Sequence, residues 1–220
     1  MPSITEVDNI HEKPTDAGVT IGHDLKLSSG NAIKQADGTS LLTEAGALGS
    51  GIVFPAGHVI GVAYLFDERT YDANGDSSTT SYSVRAINAE NDPYGIVASL
   101  ASNEFTLNAG YYLIQWTANT YGCGDAHTKL HYTPSGGSET VANYGMSGYG
   151  DYAGNGGFGQ CTGSYFTTLT VSTSFGIQQI SENAVSNGHG RRSALMTSSE
   201  GIAGAKEIFM IVTIWKLVAP

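Results

Sequence analysis

The sequence predicts an all-β antiparallel sandwich, and three observations support that prediction. Short apolar or alternating runs recur from His58 to Leu217, each bounded by turns that Gly, Asn or Pro mark. No helical periodicity alternates with them, which argues against a parallel α/β sheet. The 220 residues include 29 Gly and 12 Tyr, and only 14% are charged. Such a composition suits short strands and tight turns, not a helical bundle or a disordered chain.

In chain order, residues 1–51 read as an extended N-terminal attachment arm and residues 52–220 as a head domain. Ser3-Ile4-Thr5-Glu6 fits a capping box, so a short helical turn is expected before Pro14. Brief apolar beats follow at Val19–Ile21, Leu25–Leu27, Ala32–Ile33 and Leu41–Leu42, with turn signals at Gly22, Ser29-Gly30-Asn31 and Asp37-Gly38. None of these beats buries a core alone. The arm therefore orders against neighbouring copies or a partner, or else stays a flexible tail. Within the head, strands are expected at His58–Phe66, Tyr82–Asn88, Gly95–Leu100, Glu104–Leu107, Tyr111–Thr120, His127–Thr133, Tyr165–Val171, Ser174–Ser181 and Lys206–Leu217.

The stretch Asn103–Trp116 holds the clearest grammar. A short strand runs into a turn at Asn108-Ala109-Gly110, where Asn and Gly tolerate positive φ. Beyond it Tyr112, Ile114, Trp116 and Ala118 share one face, while Tyr111, Leu113, Gln115 and Thr117 share the other. The last strand repeats this two-faced pattern. Ile208, Met210, Val212 and Ile214 fall on one side, and Phe209, Ile211, Trp215 and Leu217 with Thr213 on the other. Water on either face would leave a large apolar stripe exposed. One face is thus expected to cover the core and the other to meet neighbouring subunits, unless both are covered within one subunit.

The segment SLASNEFTLNAGYYLIQWTA resembles one found in TNF-like, complement-type jelly-roll domains of bacteriophage virion proteins. EIFMIVTIWKL, Glu207–Leu217, resembles the last strand of the same domain, so the likeness spans about Ser81 to Leu217. It implies an antiparallel jelly-roll sandwich that forms a homotrimer with the last strand near the threefold axis. Phe209, Ile211, Trp215, Leu217, Tyr111 and Leu113 are then the candidate trimer interface. The run LSSGNAIKQADGTSLLTEAG resembles linker-like stretches of phage tail and fibre proteins, which implies that the arm contacts other virion proteins.

Tyr144–Tyr165 has the most unusual composition, with Tyr and Phe set among Gly, Ser and Asn and no Val, Ile or Leu. That mixture is typical of binding loops. Tyr144, Tyr149, Tyr152 and Phe158 suit stacking on sugar rings, with Asp151 and Asn155 bonding to hydroxyls. The alternative is a long ordered crossover packed against a neighbour. Gly154–Gly159 matches GxGxxG, but no strand precedes it and no helix follows, so it is not a dinucleotide site.

Asp67, Glu68, Asp72, Asn74 and Asp76 crowd one loop that loosely resembles a calcium loop, yet Asn74-Gly75 is a turn signal and a solvated turn is the better reading. At about 3.3 Å per residue His127 and His131 stand about 13 Å apart on a strand and cannot share a metal within one chain. Arg191-Arg192 reads as an exposed loop pair. Cys123 and Cys161 are expected as free thiols rather than a disulfide.

A net charge of −10 argues against nucleic acid or an anionic membrane as the main partner. No run approaches the about 18 apolar residues of a membrane helix, and the N-terminus lacks a secretory signal. No catalytic signature or cofactor motif stands out, so an enzyme, for instance a polysaccharide-degrading one, is the weakest expectation. The expected role is a phage virion protein, assembled in the bacterial cytoplasm, whose trimeric tail-fibre or tail-tip head binds a host surface glycan or protein. A capsid decoration or cement protein is the alternative.

Overall fold

A computed structural model describes residues 32–34, 40–43, 54–70, 72–151, 157–192 and 205–219. The chain divides into two units, Met1–Phe54 and Pro55–Pro220. In the first, β1 (Ala32–Lys34) pairs antiparallel with β2 (Ser40–Thr43), Ala32 opposite Thr43. Two of the expected apolar beats thus pair with each other, and the turn signal Asp37-Gly38 between them lies outside the described residues. The capping box at Ser3 and the rest of the arm lie outside the described residues.

The second unit contains two sheets. One runs β10 (Thr140–Tyr144), β9 (Gly124–Pro134), β13 (Thr173–Ser181), β7 (Glu104–Leu107) and β6 (Val97–Ala101). In addition β11 (Gly148–Gly150) pairs with β9, and β4 (Ser83–Val84) with β13. The other runs β12 (Phe158–Leu169), β8 (Gly110–Tyr121), β14 (Lys206–Leu217), β3 (Val59–Thr70) and β5 (Ala89–Asn91). Every pairing is antiparallel. The chain crosses between sheets from β7 to β8, β8 to β9, β12 to β13 and β13 to β14, which is the weave of a jelly roll. No helix among the described residues is long and apolar enough to cross a membrane.

Alternation decides what lies between the sheets. Tyr112, Ile114 and Trp116 of β8 meet Val212 and Ile214 of β14 from one side and Phe105, Leu130, Phe175 and Ile177 from the other, all buried. Phe105 and Phe175 stack with centroids 5.6 Å apart. The Trp116 indole donates across the sandwich to Thr128 Oγ1 at 2.9 Å, so the one polar atom of that large ring is satisfied where it is buried.

Arg85 ties the two sheets together at one end. It is fully buried and donates to the carbonyls of Asn119, His189 and Phe209 and to Gln179 Oε1. Buried Asp67 lies 3.7 Å from it and accepts from Arg69 at 2.8 Å. Burial lowers the Arg85 pKa to about 10, Asp67 opposing, so the guanidinium stays charged at neutral pH. Nearby, Cys123 and Cys161 are free and buried with Ala126, as the sequence leads one to expect. Burial pushes the Cys161 thiol up to about 11, and its Sγ bonds to the Ala126 carbonyl.

Several elements depart from expectation. The strand expected over Tyr82–Asn88 contracts to β4, and by Asn88 the backbone has passed to the other sheet, its amide donating to the Phe66 carbonyl. Gly148–Gly150 and Phe158–Ser164, expected as loop, are strand. The turn at Asn108-Ala109-Gly110 forms without positive φ, which is found instead at Ser102 and Asn103 before β7. Gly110 is required by close approach, since a Cβ there would meet the Tyr112 ring at 2.9 Å.

Candidate functional site

The Tyr/Gly stretch runs along the side of the sandwich. Gly145 donates to the Thr128 carbonyl of β9 and Met146 to the Thr162 carbonyl of β12, so residues 145–150 stitch the two sheets together. Its glycines serve that closeness. A Cβ on Gly163 would drive into the Trp116 indole, and one on Gly159 into the Tyr149 carbonyl. The small residues are packing requirements in a seam.

The aromatic side chains of this stretch still point outward, but they do not converge. Tyr144 is 57% exposed and lies beside His127, centroids 5.6 Å apart. Phe158, 64% exposed, tilts against Tyr121 at 5.0 Å, with the Arg191 guanidinium over the Tyr121 ring. Tyr149 is exposed on β11, opposite Asp125. The Asp151 carbonyl accepts from Gly157. Tyr152 and Asn155 lie outside the described residues.

Around Tyr144 a cluster forms that local sequence does not announce. The Tyr82 hydroxyl bonds to His127 Nδ1 at 2.8 Å, and Lys129 Nζ sits 4.2 Å above the Tyr82 ring. Burial raises the Tyr82 pKa, Tyr144 adding to it. Strand β13 makes the juxtaposition, pairing with β4 on one side and β9 on the other. His127 also borders a cleft of about 410 Å³ reaching Asp125, Ser147 and Glu182. The signal available in sequence was the pairing of β4 with β13, which a two-residue strand is too short to betray.

The acidic loop holds no cation cluster of three or more ligands among the described residues. Asp67 and Glu68, expected in that loop, lie in β3 instead, Asp67 buried, and the carboxylates face the chain's own cations: Asp67 and Asp76 bind Arg69, Glu68 binds Lys206, and Asp72 binds Arg192. Asn74 accepts from the Arg192 amide. Both arginines of the expected exposed pair are thus engaged. His131, on the same strand as His127, is buried under Glu139 at 3.4 Å, and burial lowers its pKa.

The outward face of the second sheet carries a lateral apolar row. Phe166, Leu113, Trp215 and Val62 are register partners across β12, β8, β14 and β3. Tyr111 packs edge-on to Phe166 at 4.5 Å. A parallel row holds Ile211 and Phe66, with Tyr64 between the two. Phe209 departs from this face. A bulge between Ile208 and Met210 makes it the extra residue, and its side chain is 3% exposed beneath Gly190. Leu217, past a second irregularity, is also covered.

No protein-family model and no curated protein matches the chain. Solved structures do resemble it. Murine APRIL is similar over 71% of this chain and 98% of its own, at 9% identity and a TM-score of 0.43. The globular domain of zebrafish complement 1qA protein is similar over 72% and 96%, at 11% identity and 0.40. Eiger TNF from S. frugiperda is similar over 74% and 96%, at 11% and 0.39. The likeness is one of fold. The strand order by itself establishes the all-β antiparallel two-sheet sandwich.

Proposed function

We propose that this chain is the subunit of a homotrimeric binding protein of a bacteriophage virion, not a catalyst. In this reading the head attaches to the host cell surface and the arm joins other virion proteins. The observation that carries the trimer is the row Phe166–Leu113–Trp215–Val62 with Tyr111 and Ile211 on an outward sheet face. A second copy removes that stripe from water, and each 100 Å² of apolar surface so covered contributes about 2.5 kcal/mol before association costs. The placement in a virion is supported by the resemblance carried by Ser99–Ala118 and Leu27–Gly46. Binding is multivalent: three weak sites per trimer, repeated over a particle, combine through effective concentration.

Immunogold labelling of intact virions with an antibody against residues 55–220 tests the reading. Gold at the tail end is expected. Gold spread over the head replaces attachment with capsid decoration, and particles that stay unlabelled after mild disruption remove the virion assignment.

A further inference from the structure

We propose that the cleft beside His127 is a binding site for a neutral pyranose, a proposal that rests on the attachment reading for its biological role. A pyranose offers one apolar face of C–H groups and a rim of hydroxyls. It is held by an aromatic wall with hydrogen-bonding groups at the ring's edge. Both parts are present here. The wall is His127, its ring fixed by the Tyr82 hydroxyl at 2.8 Å, with the Tyr144 ring 5.6 Å from it and outside the cleft's lining. The edge is formed by Asp125 and Glu182, with Ser147 across the mouth.

One of the two carboxylates, that of Glu182, is positioned by backbone. The Glu182 amide donates to the Asp125 carbonyl at 2.7 Å, and the Asp125 amide donates back to Glu182 Oε2 at 3.3 Å. Gly124, at φ +71°, leaves space for that carboxylate, which a Cβ would occupy. A carboxylate has about four acceptor sites, so both acids retain acceptor capacity for sugar hydroxyls, in bonds stronger than neutral ones. Prior fixing of the His127 ring and of the Glu182 carboxylate lowers the ordering cost of binding.

Charge selects the class of sugar. Two carboxylates at the edge repel a sugar acid, and Lys129 lies on the other side of His127, over the Tyr82 ring. The site is therefore matched to uncharged hexoses and N-acetylhexosamines. It lies on the first sheet, while the apolar row assigned to self-association belongs to the second.

Saturation-transfer NMR on the full chain, with methyl glycosides of glucose, galactose, mannose and N-acetylglucosamine and with N-acetylneuraminic acid as the charged probe, tests the site. At least one neutral glycoside is expected to bind with a Kd of about 1 mM, and the acid is not. Asp125→Asn and His127→Ala should each weaken binding about tenfold. Ser147→Trp, which blocks the mouth from an exposed position, should abolish it with the melting curve unchanged. Binding of the acid alone, or neutral binding untouched by Asp125→Asn and Ser147→Trp, overturns the proposal. Adsorption of the protein to host cells that survives both variants also removes the site and leaves the attachment reading. Sugar binding without any adsorption does the reverse.

Discussion

His189 is 2% exposed, and neither ring nitrogen has a hydrogen-bond partner among the described residues. Burial first, then the neighbouring Arg85 and Arg69, pushes its pKa down to about 3. An unfolded histidine takes up its proton near pH 6.5, whereas this one stays neutral until about pH 3. Between those values the unfolded state binds more protons, so stability is lost as pH falls through the window. At pH 5 the loss from this residue is about 2 kcal/mol. His131, also lowered by burial, acts in the same direction. Urea midpoints at pH 7 and pH 5 should differ accordingly, and His189→Leu should narrow the gap; equal wild-type midpoints would refute the assignment. Gly163→Ala makes a second residue-scale prediction. The indole it would strike is pinned by Thr128, so the variant should lose about 1–3 kcal/mol, measurable as a lower denaturation midpoint. That glycine was visible in the sequence but its reason was not. A Gly-rich run reads as adaptability until the ring 47 positions earlier is placed beneath it.

At the scale of elements, strands with clear alternation were legible, even four-residue β7, while the two- and three-residue strands and the Gly-rich first half of β12 were not. Strands β3, β8, β13 and β14 carry alternation over nine or more residues, and Met210, Val212 and Ile214 face the core as their pattern indicates. Strands β4, β5 and β11 have two or three residues each, below what any period can mark. The bulge in β14 is invisible for a related reason: nothing local distinguishes Phe209 from its neighbours. Its carbonyl, freed from the ladder, accepts from buried Arg85. Replacing that guanidinium with Arg85→Met strips donors from three carbonyls and leaves Asp67 buried with Arg69 alone. The expected cost is about 3–5 kcal/mol, read as a lowered Tm. A stability equal to wild type would mean that methionine packing offsets the network entirely, and the staple role would fall.

For the molecule as a whole, the sequence spoke clearly about the second sheet's two faces and poorly about the seam that closes the sandwich. Leu113, Trp215, Tyr111 and Ile211 could be placed from alternation because each belongs to a long alternating strand. Tyr144, Tyr149 and Phe158 could be named as exposed aromatics, but their separation onto different neighbours required tertiary pairing. Trp215→Asp places a charge in the outward apolar row, which a proposed subunit contact would bury. Sedimentation equilibrium should then report a monomer for the variant and the proposed trimer for the parent, with the circular dichroism spectrum retained. A variant of undiminished mass would move the contact elsewhere.

One feature of the far end also sets how this protein can be watched. Cys123 and Cys161 are shut in with Ala126, next to Asp125 and below the carboxylate-lined cleft, and the Cys161 thiol is held protonated. Thiolate is the reactive form, so a disulfide-exchange dye reacts only when that corner of the fold opens. Its colour change in neutral buffer is consequently a clock for local opening, with no engineered label. A sugar seated in the cleft should slow that clock, and Gly163→Ala should quicken it.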